Sequence, residues 1–258
     1  MQEIIKIAVV QAPLVWENPT KNRALFTTKI LAVAADVDVI LLPEMFTTGF
    51  TMNPDSIALS EDAVTLKWMI QMAKESNAAI VGSLVYREEE KNYNRLLFVK
   101  PDGSVSSYDK RHTFTLAGED KKYTAGTEHL LVMYKGFTFC PLICYDLRFP
   151  IWSRNTRDYD ILLYVANWPE TRVAAWDTLL KARAIENMAY CIGVNRVGTD
   201  ANGLSYSGHS AVYDTLGKQL SFSKSEEVLE VSLSKKHISE TRQKLGFLND
   251  RDAFSLLK

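Results

Sequence analysis

The chain has 258 residues, 47% apolar and 24% charged, with a formal charge of -1. That length accommodates one large α/β domain or two small ones, with a core large enough to need no disulfide or metal staple. Opposite charges nearly cancel and no basic stripe occurs, which gives no support to a nucleic-acid or anionic-membrane partner.

The first residues, Met1 to Val10, carry Glu3 and Lys6 and are too short and too interrupted for a signal peptide; they read as a strand over Ile4 to Gln11. No apolar run reaches the length of a membrane span, so the expected compartment is the cytoplasm. Asn18-Pro19 predicts an N-cap followed by proline in the first helical turn, opening a helix to about Ala35. Val37 to Leu42 is a continuous apolar run, hence a buried strand, and it stops at Pro43. Glu61 to Ser76 repeats apolar residues at helical spacing through Val64, Trp68 and Met72. Ala79 to Tyr86 and Leu96 to Val99 read as strands, Pro101-Asp102-Gly103 as a turn, and Val105 to Lys110 as the return strand. Residues His112 to Gly126 form the longest loop candidate, a length often tied to function.

Leu130 to Tyr134 and Phe137 to Ile143 bracket Lys135-Gly136 as a hairpin, and the second strand runs into Cys144. Ile161 to Ala166 is a further buried strand, Ala174 to Tyr190 a helix and Cys191 to Val197 a strand. Short strands follow near Ser210 to Tyr213, Lys218 to Phe222 and Val228 to Val231, then a helix over Lys235 to Leu245 and a polar tail over 246–258. Alternating strands and helices with interleaved hairpins predict a layered α/β fold with mixed sheets. Without a repeat, a low-complexity tract or a Gly/Ser linker, residues 1–258 read as a single domain.

Three stretches each put a reactive side chain where a strand ends: Glu44 in Leu41-Leu42-Pro43-Glu44, Lys110 in Tyr108-Asp109-Lys110, and Cys144 in Leu142-Ile143-Cys144-Tyr145. Strand ends are where α/β folds assemble sites on a rigid frame. A cysteine at a strand-to-helix junction would meet free backbone N–H groups, which favour the attacking thiolate; the plain alternative is a buried structural thiol. A carboxylate after an apolar strand and a proline is expected to be partly buried, the setting of a general base; the alternative is a helix-start glutamate. An ammonium at a strand end suits a tetrahedral oxyanion; otherwise it is a solvated lysine.

Taken together, the stretches LPEMFTTGF, YDKRHTF and CYDLRFP resemble the three signatures of the nitrilase superfamily, the carbon–nitrogen hydrolases. The resemblance continues through Val165 to Pro169, Arg183 to Asn187 and Gly208 to Ser210, covers nearly the whole chain, and is closest to bacterial omega-amidases. It implies a four-layer α-β-β-α sandwich with two mixed sheets. It implies Cys144 as nucleophile, Glu44 as base, Lys110 and the Tyr145 backbone N–H at the oxyanion, and Glu119 as a second glutamate orienting the amide nitrogen or the water, with Asp120 as a stand-in and a solvated loop carboxylate as the alternative. The reaction so implied releases ammonia from omega-amides of 2-oxo acids, such as 2-oxoglutaramate and 2-oxosuccinamate, through a Cys thioester. Nitrilase, carbamoyl hydrolase and acyl transferase activities on the same triad are the alternatives, with a silent binding module beyond them.

No metal or organic cofactor is needed for that chemistry. Cys140 and Cys144 lack a second paired cluster for zinc, so Cys140 and Cys191 read as core, and an odd cysteine count argues against a disulfide framework. His112 and His209 are available for a Cys–His mechanism, which explains less than Glu44 does. A substrate carboxylate would suit an arginine fork: Arg172 is the first candidate and Arg148 the next, each with a structural ion pair as alternative. Trp168 and Phe46 wall the pocket or fill core. Arg183, Glu186 and Asn187 share a helix face, more often a structural network than a site; the resemblance places a subunit interface there and implies a homodimer.

Overall fold

The computed structural model describes residues 3–33 and 35–256. Met1, Gln2, Ala34 and the last two residues of the predicted tail lie outside the described residues. Strand β1 (Ile4–Gln11) leads to α1 (Pro19–Leu31), which ends four residues before the predicted Ala35. Its N-cap is Asn18, whose side chain accepts from Lys21 N at 3.1 Å. Then come β2 (Val39–Leu41), α2 (Glu61–Ser76), β3 (Ala79–Glu88), β4 (Lys91–Val99) and β5 (Val105–Asp109). The second half holds β6 (Val132–Tyr134), β7 (Phe137–Ile143), the short α3 (Pro150–Ser153), β8 (Ile161–Val165), α4 (Val173–Asn187) and β9 (Tyr190–Val194). Then follow β10 (Val197–Thr199), β11 (Ser205–Ser207), β12 (Ser210–Tyr213), β13 (Gln219–Ser223), β14 (Glu227–Ser234) and α5 (Lys235–Leu245).

Two six-stranded mixed sheets form, in the orders β14-β1-β2-β3-β4-β5 and β13-β12-β9-β8-β7-β6, beside the two-stranded β10-β11. In the first, β1, β2 and β3 run parallel, β4 and β5 continue antiparallel, and β14 pairs antiparallel outside β1. In the second, β7, β8 and β9 run parallel, β12 and β13 continue antiparallel, and β6 pairs antiparallel outside β7. The topology thus repeats although the sequence contains no repeat. By this correspondence the end of β2, which carries Glu44, matches the end of β8, which carries Asn167.

The period-2 alternation of strands decides the layers. Ile5, Ile7 and Val9 of β1 point into the core between the sheets, while Ala8 and Val10 pack on α1 and α2. Phe98 of β4 meets Phe139 of β7 across that core, ring centroids 5.3 Å apart. The face of α2 that meets the sheet runs through Thr65, Met69, Met72 and Ala73, so the predicted Val64 turns outward, 43% exposed. Helix α4 covers the second sheet, its Trp176 and Leu180 seated so closely over Gly193 that a Cβ there would overlap both. The layers are therefore α-β-β-α. Beyond α5 the polar tail makes one short turn with Leu248 buried, and Arg251 Nη1 donates to Asn155 O at 3.1 Å.

Candidate active site

The parallel strands of both sheets deliver their carboxyl ends to one place. Leu42 continues β2, its N–H donating to Val81 O at 2.7 Å, and Pro43 then ends the ladder. Met45 takes φ +43°, and its N–H donates to Ser83 Oγ at 2.9 Å, which turns the chain away from the sheet. Glu44 is left fully buried rather than partly so. Its Oε1 accepts from Lys110 Nζ at 2.9 Å and Asn94 Nδ2 at 2.8 Å, and its Oε2 accepts from Asn167 N at 2.8 Å.

Lys110 follows β5, its N–H donating to Asn94 O at 3.0 Å, and its side chain is as buried as that of Glu44. Nζ donates to Glu119 Oε2 at 2.9 Å and Oε1 at 3.1 Å, so one ammonium stands between two carboxylates. Burial alone would lower the lysine pKa, but Glu119 and Glu44 outweigh it and hold it above its ordinary value. Glu119 is presented by the predicted long loop, which carries two short turns, Thr115–Ala117 and Glu119–Lys121. Its Oε2 accepts from Phe114 N at 2.5 Å, and burial pushes its carboxyl above the usual carboxylate range while Lys110 pulls it back.

Cys144 has φ +43° and opens a five-residue turn, Cys144–Arg148, rather than a regular helix. Burial first, then the Glu44 carboxylate, push its thiol well above the ordinary value, against the pull of Lys110. The thiolate-favouring helix terminus expected from sequence is therefore corrected: too few aligned peptides follow, and two carboxylates already share one ammonium. If both carboxylates are ionised and the thiol protonated, Lys110, Glu44 and Glu119 sum to one negative charge. Moving the thiol proton to Glu44 preserves that charge, whereas losing it to solvent would add a second.

Of the four histidines, the two weighed as thiol partners, His112 and His209, are engaged elsewhere. His112 Nδ1 lies 2.8 Å from Asp146 Oδ1, and His209 Nδ1 lies 2.9 Å from Asp177 Oδ2. Cys140 and Cys191 are core residues, the Cys140 thiol pushed up to about 12 by burial. Among the described residues no group of three His, Cys, Asp or Glu side chains is arranged to hold a metal ion. Arg183 Nη2 donates to Leu147 O at 2.6 Å and so braces the chain's own Cys144 turn, while Asn187 Oδ1 accepts from Asn155 N at 2.8 Å, beyond α3.

A cavity of about 450 Å³ opens on Cys144. Tyr145, Arg148, Trp168 and Arg172 line it with Cys144. The Arg172 guanidinium lies over Phe114 at 5.3 Å and that of Arg148 over Trp168 at 5.0 Å. Neither forms an ion pair among the described residues. Two carboxylates also line the cavity but are already engaged: Glu17 accepts from Thr51 Oγ1 at 2.5 Å and Asp200 from Tyr206 OH at 2.9 Å. Phe46 is a correction: it lies fully buried between Phe26 and Trp68 on the helix side of the first sheet, because the turn at Met45 sends it away from the cavity. Sequence reasoning missed Asn94, which joins the two glutamates by donating to Glu119 Oε1 at 3.1 Å as well as to Glu44. The available signal was a polar side chain just ahead of the apolar run Leu96 to Val99.

Residues 6–243 match the carbon–nitrogen hydrolase family. The chain is similar to the omega-amidase YafV of Escherichia coli (43% identity over 254 residues, 98% of each chain). It is also similar to the 2-oxoglutaramate amidase of Bacillus subtilis (30% over 250 residues, 95% of this chain and 96% of that one). Among solved structures, a CN-hydrolase superfamily protein from Xanthomonas campestris superimposes with a TM-score of 0.95 at 40% identity, covering 98% of this chain and 99% of that one. The nitrilase-superfamily member Nit3 of Saccharomyces cerevisiae shares the fold (TM-score 0.85, 21% identity, 94% of each chain). The chain belongs to the carbon–nitrogen hydrolase family. Membership and full-length similarity to amidases make it a hydrolase of carbon–nitrogen bonds with amidohydrolase activity.

Proposed function

We propose that this amidohydrolase removes the terminal carboxamide of small 2-oxo acid omega-amides, 2-oxoglutaramate and 2-oxosuccinamate, giving the dicarboxylic acid and ammonia. One observation carries the reading. A buried thiol beside a carboxylate–ammonium–carboxylate cluster opens on a cavity whose two guanidiniums have no counter-ion among the described residues. Relatives named omega-amidase and 2-oxoglutaramate amidase support the same substrate class.

Glu44 takes the Cys144 proton as sulfur attacks the amide carbon. The oxyanion rests on the Lys110 ammonium and the Tyr145 backbone N–H. Glu44 returns the proton to nitrogen as the carbon–nitrogen bond breaks, leaving ammonia and a Cys144 thioester. Water then gives a proton to Glu44 and attacks the thioester, and that proton returns to sulfur as the acid departs. Glu119 keeps Lys110 charged and aimed. Arg172, with Arg148 beside it, holds the substrate carboxylate as a charge-assisted pair, and Trp168 walls the acyl chain. A homodimer, implied by the family resemblance, belongs to the same proposal.

The test is ammonia release from both 2-oxo amides, beside glutamine, asparagine and a simple nitrile, with Cys144→Ala and Glu44→Gln in parallel. Fast release from the 2-oxo amides, abolished in both variants, is the expected result. Turnover retained in Cys144→Ala would remove the nucleophile assignment. Carbon dioxide or an acylated amine as product would move the reaction to a carbamoyl hydrolase or an acyl transferase.

A further inference from the structure

The turn that presents Cys144 and the strand end that presents Lys110 come from different sheets, so no ladder of backbone bonds sets their distance. Cys144 also has φ +43°, a conformation unfavourable for a non-glycine residue that persists only when its surroundings hold it. One carboxylate addresses both problems. Asp146, two residues after Cys144, is fully buried. Its Oδ2 accepts from Ile143 N at 3.0 Å and from Tyr108 OH at 2.7 Å. Its Oδ1 accepts from His112 N at 3.0 Å and faces His112 Nδ1 at 2.8 Å. Ile143 precedes Cys144, while Tyr108 and His112 flank Lys110 by two residues on either side.

The surroundings tighten the same joint. The His112 ring stacks on Phe149 at 3.6 Å and 3°, and Phe149 N donates to Asp146 O at 3.0 Å. Tyr108 OH accepts from Trp152 Nε1 at 3.0 Å and Arg111 N at 3.2 Å, which leaves its own proton for Asp146.

We propose that Asp146 is a positioning residue for the amidase reaction, clamping the Cys144 turn to the Lys110 strand end through Tyr108 and His112. The inference rests on the reading of Cys144 as nucleophile and Lys110 as oxyanion partner. None of its three side chains lines the cavity, so the clamp acts on the alignment of thiol and ammonium and leaves substrate binding to other groups. A misplacement of the order of 1 Å between reacting groups costs about a hundredfold in rate.

Asp146→Asn would replace one of the two buried acceptor oxygens by an amide donor set against two N–H or O–H donors and endanger the fold, so the test uses its partners. His112→Leu removes the ring donor, His112→Asn keeps a nitrogen that reaches Asp146, and Tyr108→Phe removes only the hydroxyl. Steady-state ammonia release is measured for each well below its melting temperature, beside wild type and Cys144→Ala. The clamp predicts kcat lowered about ten- to a hundredfold in His112→Leu and Tyr108→Phe, with KM within about twofold. His112→Asn should recover most of the loss although it lacks the stacked ring. Equal losses in His112→Leu and His112→Asn, an unchanged kcat, or a change confined to KM would overturn the clamp. Turnover by Cys144→Ala would instead overturn the underlying reading.

Discussion

Glu44 and Asn167 hold each other twice: Asn167 N donates to Glu44 Oε2 at 2.8 Å, and Asn167 Nδ2 donates to Glu44 O at 2.6 Å. They stand at matching ends of β2 and β8 in two sheets of the same topology, so the pair joins the sheets where the cavity opens. The Asn167 backbone also meets the thiol, Cys144 Sγ lying 4.0 Å from Asn167 O. The carboxylate proposed as base is thus aimed by one residue of the opposite sheet.

Asn167→Ala should therefore cost rate before affinity. The backbone N–H bond to Oε2 survives, but Glu44 O loses its buried donor, worth about 1–3 kcal/mol. We expect kcat about ten- to a hundredfold lower with KM little changed, and a lower urea midpoint. Paired kinetics and denaturation check it; an unchanged kcat would show that the aim of Glu44 does not depend on this bond.

Glu119 makes a signed prediction about pH. Its carboxyl is raised above the ordinary 4.5, so between that value and its folded-state value the native state binds more proton than the unfolded one. Its contribution to stability is fully present below 4.5 and is lost as pH rises through the folded-state value. The stability of wild type relative to Glu119→Gln should accordingly improve as pH is lowered from about 7 to about 5. Urea unfolding of both proteins at the two pH values measures it, and a difference that worsens on acidification contradicts it.

The core thiols predict loss of stability in alkali. Cys140 is raised by burial from 9.0 to about 12, so above pH 9 the unfolded chain sheds a proton that the folded chain keeps. The contribution is fully present below 9.0 and lost as pH rises toward about 12. At about pH 10.5 one such thiol costs on the order of 2 kcal/mol. Cys140→Val should lose that much less than wild type between about pH 8 and 10.5, read from urea midpoints. Equal losses would mean that this thiol does not titrate on unfolding.

The sequence by itself determined the strand ends and the chemistry placed on them. Apolar runs stopped by a proline or a turn are local features, and they put Glu44, Lys110 and Cys144 in an order and context that resembles one superfamily. Helix α2 was legible for the same reason: its 3.6-residue period is written within sixteen residues. What the tertiary structure decided is everything that depends on sheets meeting. Asn94 and Asn167 became partners of Glu44 across 50 and 123 residues, separations that no local pattern encodes. Phe46 follows Glu44 closely in the chain, yet the positive φ at Met45 turned it into the helix-side core instead of the cavity wall. The thiol's protonation was likewise a tertiary outcome, because the field at Cys144 is set by burial and by the charges of Glu44, Lys110 and Glu119, which come from separate segments of the chain.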